Sequence, residues 1–318
     1  MFFHFANVVP LLAAGYVAAL PSYEALSSRQ NTGTKYIFSF GDSYTKTVFL
    51  ISGTKPSARN PIGNPPFPGS TTSGGLNWID YLVTAYNTTL TLSYNFAYNG
   101  ATVSADIVPP YKSSVQSLID QTNIFTSNLA VKPSYAPWTS TNSLFALWFG
   151  INDINNSYSN PGEDELQKEI FDVYWKQLDI MYYYGARNFL FLTVPPTILH
   201  QRPGNEPYLA FNKSPLVLSY NATAQAQEAA GIAAWNDRLR AAASEFQAER
   251  HGTIVTVIDT SVPFNTALNN PKAYGAPSAT CYNSDGVSCL WWNNLHPGMA
   301  IQNLVAGAVA AAYKGTFF

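Results

Sequence analysis

Four short stretches carry side chains able to do chemistry, and three of them follow an apolar run. Gly41-Asp42-Ser43 ends the run 36–40, Asn99-Gly100 follows 90–96, and Gly150-Ile151-Asn152-Asp153 follows 144–149. The fourth, Asn294-Leu295-His296-Pro297, lies near the C-terminus, just before the last helical stretch. Apolar runs cut by glycine read as buried strands ending in tight turns. In an open α/β sheet, ligands bind in the crevice beyond the carboxyl ends of such strands. Together the four stretches offer a hydroxyl, a backbone N–H with no Cβ beside it, an amide and an imidazole. That set suits attack on a carbonyl carbon. A serine hydroxyl is a weak nucleophile near neutral pH until a base takes its proton, and imidazole is the usual base in that range. Donors already aimed at the developing oxyanion stabilise it without reorganising. Alone, Gly-Asp-Ser is a common turn and a lone histidine is usually structural, so the weight falls on the combination. Among the other histidines, His4 lies in an apolar leader, His200 in a proline-flanked loop and His251 at a polar junction, which leaves His296 as the candidate base.

Elements must bring these residues together. Strand patterns occur at 36–40, 90–96, 144–149, 188–194 and 253–258, and helical patterns at 77–86, 116–129, 164–184, 222–249 and 299–313. Repeated strand-then-helix order predicts an α/β chain: a three-layer α/β/α sandwich around a central, mainly parallel five-stranded sheet. The segment 52–75 breaks the pattern, being dense in Pro, Gly, Ser and Thr with no apolar period. A long loop inside a compact domain is usually functional, and this one, following Ser43, is expected to wall the site with Phe67 as a contact. A stiff surface loop is the plainer alternative.

About 47% of the residues are hydrophobic and 11% charged, with a net charge of −2. A sizeable core is therefore available, while no basic stripe exists for nucleic acid or an anionic membrane surface. The expected partner is neutral, without nucleic acid and without stable membrane association. Residues 1–19 read as a signal peptide with too short an apolar core to span a bilayer, 20–34 as a flexible segment and 35–318 as one domain. The expected location is secreted, extracellular. Cys281 and Cys289 are the only cysteines; in an exported chain they read as a loop-closing disulfide. Sequons begin at Asn87, Asn155, Asn212 and Asn221, each a candidate glycosylation site. No ligand cluster calls for a metal, and no cofactor is expected.

Gly41-Asp42-Ser43, Gly100 in Asn-Phe-Ala-Tyr-Asn-Gly-Ala, Gly150-Ile151-Asn152-Asp153 and His296-Pro297 resemble, in order and spacing, the blocks of the SGNH or GDSL-type hydrolases. The stretch 52–81 resembles the fungal members of that superfamily that remove acetyl groups from carbohydrate. The resemblance implies a flavodoxin-like sandwich and a serine esterase acting through an acyl-enzyme, with xylo-oligosaccharide or other hemicellulose esters as substrates. It implies Ser43 as nucleophile, His296 as base, and an oxyanion hole made by the N–H groups of Ser43 and Gly100 and the amide of Asn152. A lipase-like hydrolase and a non-catalytic glycan-binding relative are the alternatives. Most members carry an aspartate three residues before the histidine, where this chain has Asn293. Asparagine accepts a hydrogen bond but brings no charge, and some members of the superfamily hold the histidine through a backbone carbonyl instead. Either Asn293 or such a carbonyl is expected to orient His296, and replacement of Asn293 by alanine to change the rate little. Trp291 and Trp292, beside His296, are expected substrate contacts. Asp42 and Asp153 are assigned to holding their turns.

Overall fold

In the computed structural model, residues 33–195, 197–200, 209–212 and 221–318 are described, the two short segments by backbone only. The expected signal peptide, nearly all of segment 20–34 and the Asn212 side chain lie outside the described residues. Five strands form the central sheet: β1 (Lys35–Gly41), β2 (Thr91–Asn95), β3 (Ser143–Trp148), β4 (Asn188–Leu192) and, after two intervening short strands, β7 (Ile254–Ile258). Their order is β2-β1-β3-β4-β7, and every pairing is parallel. Strands buried on both faces need unbroken apolar runs, which is what Tyr36, Ile37, Phe38 and Phe40 in β1 and Leu144 to Trp148 in β3 supply. The two intervening strands, β5 (Thr197–His200) and β6 (Leu209–Asn212), form a separate antiparallel pair.

Helices cover both faces. One layer holds a short helix α1 (Trp78–Tyr81) running into a π-turn over Leu82–Tyr86, with α6 (Ser261–Asn269) and α7 (Met299–Ala312). The other holds α2 (Leu118–Asn128), α3 (Ile151–Ser157), α4 (Glu163–Tyr183) and α5 (Ala222–Glu249). Between β1, β3 and α2, the rings of Phe38, Phe125, Trp138 and Phe145 meet at centroid distances of 5.0–5.9 Å. Deleting one such buried ring typically costs about 3–5 kcal/mol, so the strand ends above this cluster are firmly held.

The 2-1-3-4-5 strand order reverses direction at the β1/β3 crevice, and β1 is also flanked by β2. Ser43 follows β1, Gly100 follows β2 and Asn152 follows β3, all at the carboxyl end of the sheet. That is the place where doubly wound sheets leave room for a ligand. The loop 52–75 folds back on the β1 turn: Thr72 Oγ1 donates to Ser43 O, and Ser70 N donates to Thr47 O at 3.0 Å. Phe67 does not stand out from it as expected; it is half-buried and packs on the core.

Candidate active site

The turn after β1 is tied from every side. Tyr44 N donates to Asp42 Oδ1 (2.9 Å), and Thr45 N and Lys46 N donate to Asp42 O (3.2 and 3.1 Å). Asn77 caps α1 through Oδ1, which leaves its Nδ2 to donate to Thr45 O (2.8 Å) and Lys46 O (3.0 Å). Asn95, at the end of β2, donates to Thr45 O (2.6 Å), and Gln121 of α2 brackets Gly41 by accepting from its N and donating to its O, both at 2.9 Å. A turn so connected keeps the Ser43 hydroxyl in one place.

His296 reaches it from the far end of the chain, its Nε2 lying 2.8 Å from Ser43 Oγ. The late loop is fixed by Tyr44, whose hydroxyl donates to Leu295 O (2.7 Å), and by Trp292 N, which donates to His296 O (2.8 Å). Asn293 contributes more than expected. Its Oδ1 accepts from Leu295 N (2.9 Å) and His296 N (2.8 Å) and lies 3.0 Å from His296 Nδ1. Two backbone donors identify that atom as the amide oxygen, which can only accept. The imidazole proton must then sit on Nδ1, which leaves the Nε2 lone pair facing the serine hydroxyl. The charge state agrees: burial, aided by the nearby Lys46 ammonium, pulls the imidazole down to about 4. At neutral pH the His296 imidazole is uncharged, with the Nε2 lone pair free to accept the proton of the Ser43 hydroxyl.

Ser43 N and Gly100 N meet no acceptor among the described residues. Gly100 adopts φ +74, a left-handed conformation that favours glycine. Asn152 differs from expectation. Both hydrogens of its Nδ2 have protein acceptors, Asp42 Oδ2 at 3.2 Å and Ala101 O at 3.1 Å, so donation to a ligand requires releasing one of these long bonds. It follows Gly150, whose φ of 115 starts α3 and where any Cβ would lie 2.4 Å from the Trp235 ring.

Asp42 and Asp153 hold turns, as expected. Asp153 Oδ1 accepts from Val103 N at 2.9 Å, which fixes the loop beyond Gly100. Burial raises the Asp42 carboxyl to about 8 and the Asp153 carboxyl to about 7, with their mutual repulsion adding to the shift at Asp42.

Trp291 is a correction: it is buried, its indole N–H donates to Ala279 O (2.8 Å), and its ring rests on Phe264. Trp292 stays beside the dyad, edge-on to the His296 ring at 5.9 Å, its N–H donating to Ser284 O. Ser284 lies within the ring closed by the Cys281–Cys289 disulfide. Among the sequons, Asn87 is buried with its Nδ2 donating to Thr89 O, so a glycan there requires that turn to open. Asn155 is half-buried and Asn221 is exposed, capping α5 through its Oδ1. No group of three or more metal-ligating side chains occurs among the described residues.

Residues 37–309 match the GDSL-like lipase/acylhydrolase family. The chain belongs to that family. This acylhydrolase is 49% identical over 312 residues to an acetylesterase of Thermothelomyces thermophilus, covering 98% of each chain. It is 30% identical over 194 residues to an acetylesterase of Hypocrea jecorina, 57% of this chain and 54% of that one. Its fold is similar to that of Axe2, an acetylxylan esterase from Geobacillus stearothermophilus, with a TM-score of 0.50 and 13% identity over 88% of this chain and 94% of that one. The GDSL-like acylhydrolase is thus a carboxylic ester hydrolase with an all-parallel α/β/α core.

Proposed function

We propose that this acylhydrolase is a secreted serine esterase that removes acetyl groups from carbohydrate, with acetylated xylo-oligosaccharides or other hemicellulose fragments as substrates. The observation that carries the mechanism is the 2.8 Å approach of His296 Nε2 to Ser43 Oγ, with the Nδ1 proton fixed by Asn293. Ser43 Oγ bonds to the ester carbon as its proton passes to Nε2. The unpartnered N–H groups of Ser43 and Gly100 receive the oxyanion, and Asn152 adds a third donor once it gives up Asp42 or Ala101. The proton then moves from Nε2 to the departing sugar hydroxyl as the C–O bond breaks. Water, losing its proton to His296, attacks the acetyl-enzyme and frees acetic acid. Removing one oxyanion donor typically lowers turnover about 10²–10³-fold. The acetyl assignment is supported by the acetylesterase relative, and the carbohydrate assignment by the carbohydrate-directed esterase whose fold the chain shares. Export is supported by the leader pattern in 1–19 and by the disulfide. The test is acid release from acetylated xylo-oligosaccharides and from short- and long-chain nitrophenyl esters, with Ser43→Ala as control. Turnover of short esters and acetylated sugars only in the wild type is expected; a preference for long chains, or no turnover above the control, overturns the reading.

A further inference from the structure

We propose that Tyr111 is the platform on which the acetyl-bearing sugar ring rests, and that the adjoining chain runs from it into a polar cleft along α2. The inference rests on the carbohydrate reading above. Tyr111 is 64% exposed, whereas Tyr44 and Trp291, also near the dyad, are buried. Yet its ring is not loose. A Cβ built on Gly100 would lie 2.4 Å from Tyr111 Cε1 and 2.6 Å from Cδ1, so the ring edge packs directly on the Cα of the glycine whose N–H is unpartnered. The backbone beneath is stiffened by Pro109-Pro110 and tied by three bonds: Thr102 Oγ1 to Val108 O (2.9 Å), Asn156 Nδ2 to Pro109 O (3.4 Å) and Val115 N to Lys112 O (3.2 Å). The phenol hydroxyl meets no partner among the described residues, and the Lys112 ammonium stands 5.6 Å from the ring centroid.

An exposed aromatic ring held rigid beside a reactive centre exposes apolar surface to water with no compensating core contact, an arrangement that pays off when a ligand covers it. A pyranose ring presents an apolar C–H face and polar edges. Stacked on Tyr111, it would bury the face and leave its hydroxyls free. Two residues further on begins a cleft of about 470 Å³ lined by Ser113, Gln116, Asp120, Asn123 and Ser127 among others. These hydroxyl, amide and carboxylate groups are the partners that sugar hydroxyls take. A small aliphatic ester needs neither surface.

The experiment compares kcat/KM on an acetylated xylo-oligosaccharide with kcat/KM on ethyl acetate for the wild type, Tyr111→Ala and Tyr111→Phe. The ratio is expected to fall about tenfold in Tyr111→Ala, equivalent to ~1.4 kcal/mol, mainly through KM for the sugar, and to recover in Tyr111→Phe. An equal loss on both substrates makes the ring only a prop for the Gly100 loop, and an unchanged ratio removes it from recognition; either result overturns the platform alone. A wild type that hydrolyses ethyl acetate but not the acetylated sugar overturns the platform together with the carbohydrate reading. Asn123→Trp, which fills the cleft, is expected to lower the preference for a tetrasaccharide over a monosaccharide acetate. A chain-length preference equal to that of the wild type overturns the cleft as the path of the chain.

Discussion

Replacing Asn293 by aspartate perturbs a single atom pair at the centre of the proposed chemistry. The asparagine oxygen already accepts from Leu295 N and His296 N and faces His296 Nδ1 at 3.0 Å. An aspartate has nearly the same shape, keeps these contacts and is held ionised by the two backbone donors. It therefore sets a full negative charge against the imidazole. An opposite charge at such range raises the imidazole by about 1–3 pH units, or about 1.4–4 kcal/mol in favour of the imidazolium. His296, now held at about 4 by burial and by Lys46, would titrate roughly between 5 and 7. The base works in its neutral form, so kcat/KM is present above this value and lost as pH falls through it. The acid limb must move upward. On the plateau the same charge stabilises the imidazolium formed in the transition state, and kcat is expected to rise about tenfold, a part of the full charge effect. Initial rates on nitrophenyl acetate across the acidic and neutral range, followed at the wavelength where nitrophenol and nitrophenolate absorb equally, measure both effects. An acid limb that stays in place would refute the pairing of Asn293 with a catalytic His296. Asn293→Ala leaves all three donors without their acceptor and frees the tautomer, so its rate is expected to fall about a hundredfold, less than the ~10⁴ of the serine-protease Asp-to-Asn case. This replaces the small effect anticipated from sequence.

Three further outcomes follow. Lys46→Met removes the lesser of the two influences that lower the imidazole and leaves burial in place, so the acid limb should rise slightly with no loss of the plateau; a limb that stays in place or moves down would show that the ammonium does not act on His296. Asp42 and Asp153 carry folded-state values of about 8 and 7 against 3.8 for a free carboxyl, so their contribution is complete below 3.8 and lost as pH rises through 7 to 8. Melting should therefore occur at higher temperature at pH 5 than at pH 8, and Asp42→Asn should flatten the slope. Replacing Cys281 and Cys289 by serine releases a loop with a sequence separation of 8 and should cost about 2–3 kcal/mol by chain entropy, read from denaturant midpoints. The same change loosens Trp292 through Ser284, so KM for sugar esters should rise more than KM for ethyl acetate.

The sheet was legible because its strands are apolar on both faces: the runs beginning at Tyr36, Leu144 and Asn188 carry no helical period to confuse them. The long helices α4 and α5 announced themselves by length and composition. The helix α3 did not, since Ile-Asn-Asp-Ile-Asn-Asn-Ser is mostly polar, and its start depends on the left-handed Gly150 and the Trp235 ring packed against it. Ser43, Gly100 and His296 could be chosen from residue type and place along the chain. What the order of residues does not encode is which partners a polar side chain finds. That Asn293 serves three donors, that Asn152 is engaged by Asp42 and Ala101, and that Trp291 points inward while Trp292 does not, depend on contacts made across the tertiary structure. Tyr111 carried no motif at all. Its only sequence signal was an aromatic residue directly after two prolines.

The two halves of the dyad are 253 positions apart, and α7, which follows His296, donates through Gln302 to Tyr44 O and accepts from Trp78 N. In the proposed mechanism the Ser43 hydroxyl is therefore inert until the late loop that carries His296 has been made and has folded onto it. On that mechanism a copy clipped before the late loop is silent, so active-site titration counts the molecules that carry both residues and ignores fragments.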